Sequence, residues 1–357
     1  MKYLVQVIRF FIAITFIFSG IVKLIDPIGT KIKMLEYFSE DVLNLTFLSP
    51  YALEISFFII LFECILGVAL LLGYRIDLTL KLLFLLTTFF LFLTWYSAYY
   101  NKVTDCGCFG DAIKLSAWET FYKNVIFLIM ITFLIFKKKF IFQLFNSKIN
   151  TIILITITIL SSFLMIYTIK HLPLIDFRPY AIGQNIKEGM SIPKDAPQPK
   201  FKEIWYYKIN GEIKEFSTED EPWNIEGAEF VDRKTITISE GYVPPIHDFS
   251  IDNEMEGDIT EQVLNEPEIY LIISYQPSAV GDEEKKIIND YAQKLTQKGK
   301  KVIGLFAVTD EQIIKSFQFP LYLTDATTLK TMIRSNPGVI KLEYGTITEK
   351  YAWRNLK

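Results

Sequence analysis

Thr104-Asp105-Cys106-Gly107-Cys108-Phe109-Gly110-Asp111 is a short polar stretch between two long apolar runs. Upstream, Leu78 to Trp95 is rich in Leu and Phe and closes on Trp95, Tyr96, Tyr99 and Tyr100, the composition of an interfacial aromatic belt. Downstream, Ala117 to Phe136 opens with Trp118 and closes on Lys137-Lys138-Lys139. Each run is long enough to cross a bilayer as a helix, so the stretch between them reads as the loop joining two membrane spans. That reading sets the fold class of the first half of the chain as an α-helical membrane bundle.

Working outward, five spans are expected. The first covers about Val7 to Ile25 and stops at Asp26-Pro27, with Arg9 placed to snorkel to the inner surface. The second covers Tyr51 to Gly73 and carries Glu63 and Cys64 near its middle. The third and fourth flank the cysteine loop, and the fifth covers Ile152 to Ile169, leaving through His171-Leu172-Pro173. Between the first two spans, Met34, Leu35, Phe38 and Val42 recur at helical spacing within Ile28 to Pro50, which predicts an amphipathic helix at the interface. No small-residue cleavage site follows the first apolar run before Asp26-Pro27, so that run reads as an anchor rather than a removed signal peptide.

Lysine and arginine are retained on the cytoplasmic side of a membrane. Lys2, Arg9, Arg75, Lys81, the triple lysine and Lys148 fall on one face; Lys31, Lys33, Lys102 and Lys114 fall on the other. The expected topology has a cytoplasmic N-terminus, with the cysteine loop and everything after the fifth span outside the cytoplasm. An oxidising compartment lets a thiol pair rest as a disulfide.

The composition changes after the last span. Residues 1–170 hold 10 of the 40 acidic residues and the remainder of the chain holds 30, so the first half belongs in lipid and the second in water. The net charge of -3 averages the two, and no clustered basic surface stretch points to nucleic acid. Four parts are expected: residues 1–145 a four-span membrane domain, 146–172 the fifth span, 173–244 a β-rich extracytoplasmic region, and 245–357 an α/β domain. In the β-rich region, Ile204 to Ile209 and Ile213 to Phe216 flank Asn210-Gly211, a strong hairpin signal, and Thr235 to Ile238 is a further strand. Beyond Pro244-Pro245 the pattern alternates: strand Ile269 to Ser274, helix Glu283 to Gln297, strand Lys301 to Ala307, helix Asp310 to Phe317, helix Thr328 to Ile333, then strands Gly338 to Glu343 and Thr346 to Tyr351 turning about Tyr344-Gly345.

Three cysteines do not make a disulfide framework; they leave one adjacent pair, Cys106 and Cys108, and Cys64. A Cys-Gly-Cys disulfide closes a small strained ring, and strain makes a disulfide more oxidising. Gly107 supplies the backbone latitude such a ring needs. Asp105 and Asp111 oppose thiolate formation, and Lys102 is one candidate for an activating charge. Against a redox pair stand a permanent disulfide that pins the loop and a metal site, for which two cysteines fall short of the usual four ligands. Glu63 is an acid inside a span, where charge is expensive. It is a candidate for proton transfer or for a hydrogen bond to a quinone; alternatively it bonds Ser19 or Thr94, or pairs with Lys23 reaching down from the first span. Cys64 reads as core packing, Lys23 and Asp26 as a cap at the membrane edge, and His171 and His247 as isolated fillers.

Two stretches resemble known families. Phe18-Ser19-Gly20 with Lys23-Leu24 and Asp26-Pro27, then Glu63, Gly67 and Leu71-Leu72-Gly73, is similar to the DoxX family of four-span bacterial membrane proteins. Within it, Cys106-Gly107-Cys108-Phe109-Gly110 resembles the branch containing the methylamine utilisation protein MauE. The resemblance covers about residues 5–140 and implies a membrane bundle tied to redox or disulfide metabolism. The last hundred or so residues resemble thioredoxin-like domains, with Pro337 in the place of the cis-proline and hence on a partner-binding groove. The C-x-x-C pair of that family is replaced by Tyr275-Gln276-Pro277-Ser278, so the domain cannot exchange disulfides itself. The expected function is transfer of electrons between Cys106/Cys108 and either a membrane quinone or an extracytoplasmic thiol partner, with Glu63 in support. The alternative is a non-enzymatic assembly protein whose outer domains bind envelope components. No nucleotide, haem or flavin motif is present, and no cofactor other than a quinone is suggested.

Overall fold

The computed structural model describes residues 1–103, 107–239, 241–253, 257–307 and 310–356. Cys106, with Thr104 and Asp105, lies outside the described residues. Among the described residues five helices are long and apolar enough to cross a membrane.

Helix α1 (Lys2–Ile25) ends at Asp26, whose carboxylate accepts from Gly29 N at 2.9 Å and so starts α2 (Pro27–Phe38), with Pro27 in the first turn where its missing N–H costs nothing. α2 is the expected amphipathic helix: Met34, Tyr37 and Phe38 are buried against Ala52, Leu93 and Val103. α3 (Ala52–Leu72) follows a 3₁₀ turn and stops at Gly73, which takes the left-handed conformation at φ 67°. α4 (Ile76–Tyr100) and α5 (Ala117–Phe136) flank the cysteine loop, α5 opening with a Ser116–Glu119 capping box. α6 (Ser147–Lys170) is the fifth long helix. The bundle core is made where α1, α3, α4 and α5 meet, around Ile12, Leu66, Leu70, Leu83 and Ile131. α6 packs outside it, placing Met165 against Leu24, Ile60 and Cys64.

Arg9 does not snorkel. It is fully buried, donating from Nε to Leu70 O at 2.8 Å and from Nη2 to Leu71 O at 2.6 Å, with further bonds to Gln6 and to Phe142 O. The last carbonyls of α3 have no partner in their own helix, and the guanidinium supplies one. That demand outweighs the pull of water on its charge.

After α6 the chain forms α7 (Ile186–Met190) and then a three-stranded antiparallel sheet of β1 (Lys200–Ile209), β2 (Glu212–Ser217) and β3 (Glu229–Ser239), with β1 central. The β1–β2 turn is Asn210-Gly211, both at positive φ, as a two-residue hairpin of matching twist requires. A larger seven-stranded sheet follows, built from β4 (Asp252–Asn253), β5 (Gly257–Asp258), β6 (Ile269–Ser274), β7 (Lys301–Phe306), β8 (Leu321–Leu323), β9 (Gly338–Glu343) and β10 (Thr346–Ala352), in the order β10-β9-β6-β7-β8-β4-β5. β6, β7 and β8 run parallel; β9 and β10 are antiparallel to their neighbours. Helices α8 (Thr260–Leu264), α9 (Asp282–Gln297), α10 (Glu311–Ile314) and α11 (Ala326–Met332) intervene.

The two faces of this sheet follow the strand period. Ile269, Leu271 and Ile273 of β6 point to one side with Leu329 and Met332 of α11, and Ile272 points to the other with Ile288, Ala292 and Leu295 of α9. Tyr180 and Ile186, before the three-stranded sheet, share the first of these cores with Ile246, after it. The incoming segment is fastened by ions: Asp176 takes a bidentate bond from Arg178 at 2.7 and 2.9 Å and a further bond from Lys350 at 2.7 Å.

Candidate functional site

The site is assembled where the cysteine loop meets α1 and α3. Ser19 and Lys23 lie one turn apart on the same face of α1. Across from them, α3 presents Glu63. Lys23 Nζ donates to Glu63 Oε1 at 2.9 Å, to Glu63 Oε2 at 2.7 Å and to Ser19 Oγ at 2.7 Å, which uses all three of its protons. Lys23 is 6% and Glu63 2% exposed, so the pair is an ion pair shut away from water. The ring of Phe90 lies 5.8 Å from the ammonium.

Ser19 carries the connection to the loop. Its hydroxyl accepts from Lys23 and sits 2.7 Å from the Cys108 carbonyl oxygen and 3.2 Å from Glu63 Oε2. The single hydroxyl proton favours the shorter contact, so the chain runs Lys23 to Ser19 to the Cys108 carbonyl. The loop turns on Gly107 and Gly110, both at positive φ, with Gly110 N bonded to Gly107 O at 3.0 Å. Phe109 is buried at the mouth of the bundle, with Lys123 of α5 4.5 Å above its ring.

Cys108 is half-buried and lines two small cavities. One, of about 20 Å³, is shared with Glu63, Phe90, Lys123 and Asn124; the other, of about 40 Å³, is shared with Lys23, Lys33 and Tyr37. Each has room for a water molecule or two. Lys123 and Asn124, beside Phe16 and Phe127, give the first of them both polar and apolar walls. Outside the loop a larger cleft of about 250 Å³ opens between the loop, α2 and the tail.

Of the residues expected at the site, Glu63 and Cys108 are brought together, while Cys106 lies outside the described residues. Of the partners open to Glu63, the structure selects Lys23, with Ser19 at longer range. Thr94 turns instead to the carbonyls of Phe90 and Leu91 and accepts from Asn124 Nδ2 at 3.3 Å. Cys64, next to Glu63 in sequence, is buried about a quarter-turn round the helix, among Leu24, Ile60 and Met165. Cys64 and Cys108 are free cysteines. Asp26 does cap α2, but Lys23 is no edge cap; it is a member of the buried network.

Pro337 is buried, and the Asn336–Pro337 peptide is cis. Asn336 Oδ1 accepts from Ser274 Oγ at 2.8 Å and from Gln276 N at 3.1 Å, while its Nδ2 donates to Gln276 O at 2.9 Å. The segment Tyr275-Gln276 is thereby locked to the residue before Pro337. The surface reached from here is not open. Arg334 Nε donates to Asp26 Oδ2 at 2.7 Å and Nη2 to Asp111 Oδ2 at 2.9 Å. The seven-stranded sheet therefore sits at the same end of the bundle as the cysteine loop. Burial works against the Arg334 charge, but Asp26 and Asp111 outweigh it and hold the guanidinium more firmly protonated than usual. Sequence reasoning missed Arg334 and Asn124; a lone Asn in an apolar run was a signal for the second, and nothing local marks the first.

Residues 1–137 match the family model described as methylamine utilisation protein MauE. No curated protein and no solved structure matches the chain. Together with the five apolar helices, the match makes the N-terminal part a MauE-like multi-pass membrane region.

Proposed function

We propose that this MauE-like membrane chain is a thiol–disulfide protein of the bacterial inner membrane, acting through Cys106 and Cys108 toward a thiol partner outside the cytoplasm. The observation that carries the reading is the tie between the Cys108 backbone and the buried Lys23–Glu63 pair. A loop needed only as a connection does not require its cysteine carbonyl to be held by an intramembrane ion pair, whose burial is costly. Glu63 acts here through Lys23 and Ser19 as a positioning residue. In the reaction, the two thiols close to a disulfide and release two protons and two electrons, which open a disulfide of the partner to two thiols. The electrons can run in either direction according to the relative potentials. The other acceptor this reading keeps is a membrane quinone, to which the same two electrons and two protons would pass.

The tail is read as a thioredoxin-like domain without thiols. What supports this is the strand order β7-β6-β9-β10, with β6 and β7 parallel, α9 following β6, and a cis proline leading into β9. Placement of the loop and tail outside the cytoplasm is supported by the lysine distribution and by their shared end of the bundle. The alternative, an envelope-binding assembly protein with a structural disulfide, is favoured by one observation: the tail's surface near Pro337 contacts the chain's own loop. The two separate on trapping. In a Cys64→Ser background, Cys108→Ser leaves Cys106 to form mixed disulfides; a reductant-sensitive adduct with another envelope protein supports exchange. No adduct from either single-cysteine variant, with the wild-type pair permanently oxidised, would leave the assembly reading standing.

A further inference from the structure

Arg334 reaches from the tail into the bundle across more than two hundred residues of chain and is itself almost wholly buried, its side chain 8% exposed. Its guanidinium uses separate nitrogens for three partners: Asp26 at the α1–α2 junction, Asp111 of the cysteine loop, and Lys330 O at 2.7 Å within the tail. Charge-assisted bonds of this kind are strong and directional. The bundle is shaped to receive it. A Cβ on Gly29 would lie 3.0 Å from Arg334 Nη2 and 2.6 Å from Asp26 Oδ2, so the absence of a side chain there makes the slot. The same Asp26 caps α2, and the stem of Lys33 on α2 lies 3.2 Å from where a Cβ of Gly107 would stand. Arg334 thus holds the cysteine loop twice, directly at Asp111 and through α2 behind Gly107.

We propose that Arg334 is a clasp that positions the cysteine loop and limits what reaches Cys108: while the tail is latched, the thiol site admits small or extended thiol compounds through the cleft, and a folded thiol protein gains access only when the clasp opens. The cleft of about 250 Å³ is bounded by Lys33, Gly107, Asp111, Lys114, Lys330 and Arg334. It falls just short of pockets that take drug-sized ligands. Lys33, Thr30 and Gly107 also line the inner cavity at Cys108, so the two spaces adjoin at these residues. A peptide end or a low-molecular-weight thiol fits this opening, and the broad face of a globular partner does not. This rests on reading the loop as a thiol site; the test below reads access to Cys108 and remains readable if the pair never cycles in cells.

The experiment uses the full chain in membranes with Cys108 as the single cysteine (Cys64→Ser, Cys106→Ser). Alkylation rates are compared for a small maleimide and for one carrying a bulky polymer of about 5 kDa. The latched chain should react with the small reagent and at least tenfold more slowly with the large one. Arg334→Gln should raise the large-reagent rate about tenfold while changing the small-reagent rate no more than about twofold. Arg334→Lys should fall between, because one charge remains without the fork. Exchanging the charges, Arg334→Asp with Asp111→Arg, should restore the discrimination, a rescue that mere loosening of the fold would not give. Gly29→Val, which fills the slot from the bundle side, should mimic Arg334→Gln and covers the case in which the arginine variant fails to fold. Equal large-reagent rates in the parent, Arg334→Gln and Gly29→Val would overturn the clasp. A small reagent that reacts with none of them would overturn the cleft as the route to Cys108.

Discussion

At the scale of single residues, Glu63 is the centre of the site. An acid within an apolar run was legible as a feature that needs a reason, and Lys23 and Ser19 were legible as partners because they sit on the preceding span at depths that match. Which partner wins was not legible, since it depends on the rotation of α1 against α3. The structure decides for Lys23, and the energetics follow. Breaking a buried ion pair by removing one member leaves the other charged and unpaired, at a cost of about 3–5 kcal/mol, whereas replacing both by apolar groups is nearly neutral. Glu63→Met and Lys23→Met should therefore each destabilise the detergent-solubilised protein by about that amount in an unfolding titration, and the double variant should lie within about 1–2 kcal/mol of the parent. Additive losses would mean that the two side chains stabilise separately. Ser19→Ala removes the bond from Lys23 and the bond to the Cys108 carbonyl and leaves a buried ammonium proton without a partner, so it should cost about 2–3 kcal/mol. Arg9 shows the opposite limit of the sequence. Its charge near a span end suggested snorkelling, and only the packed bundle reveals that the end of α3 and the α5–α6 connection bring the carbonyls of Leu70, Leu71 and Phe142 to one point.

At the scale of elements, the spans, the Asn210-Gly211 hairpin and the strands β6 and β9 were legible, because apolar length and strand period are local properties. Three-residue β8 was not, since Leu321–Leu323 is a strand by virtue of pairing with β7 and β4. The contact of α1 with α3 was half legible. Gly20 and Gly67 are small residues in apolar spans, and small residues let helices approach closely. A Cβ on Gly67 would lie 3.0 Å from Ile17 N and 3.2 Å from Ala13 O, both backbone atoms that cannot turn away. In an open helix Gly→Ala is stabilising by about 1 kcal/mol, but forcing apart a close helix pair costs about 1–3 kcal/mol. Gly67→Ala should thus lower the midpoint of thermal unfolding, and a raised midpoint would show that α1 and α3 have slack. Arg334 marks where element-level reading stops. It lies between α11 and β9 and looks like any surface arginine until the tail is set on the bundle.

At the scale of the molecule, the tail is joined to the bundle covalently through α6 and, among the described residues, ionically through Arg334. The covalent route is stiffened by Asp176. Burial pushes that carboxyl up, but Arg178 and Lys350 more than offset it and hold it below its ordinary value of 3.8. Lys350 in turn is pushed down to about 8 by burial and by Arg178 against the pull of Asp176. A carboxyl depressed in the folded state stabilises above its unfolded value and loses that contribution as pH falls through its folded one. Asp176→Asn should therefore destabilise the protein at pH 7 and converge with the parent as pH drops below 4, read as the difference between the two melting temperatures. A gap that stays constant down to pH 3 would remove Asp176 from the acid response. Of the candidate site, Cys108 and the buried acid Glu63 stand out in the sequence, and how Ser19 and Lys23 tie the two together was not legible.

The central claim is that Cys106 and Cys108 change redox state, and it is tested most directly by acid-quenched thiol trapping in living cells, with a mass-shifting alkylating reagent on a Cys64→Ser chain. The account predicts a mixed population of oxidised and reduced pairs that moves when an external thiol or oxidant is supplied, and that shifts toward one form in Glu63→Gln. A pair that stays wholly oxidised under both treatments, with no effect of Cys→Ser replacement on growth or envelope integrity, would contradict it.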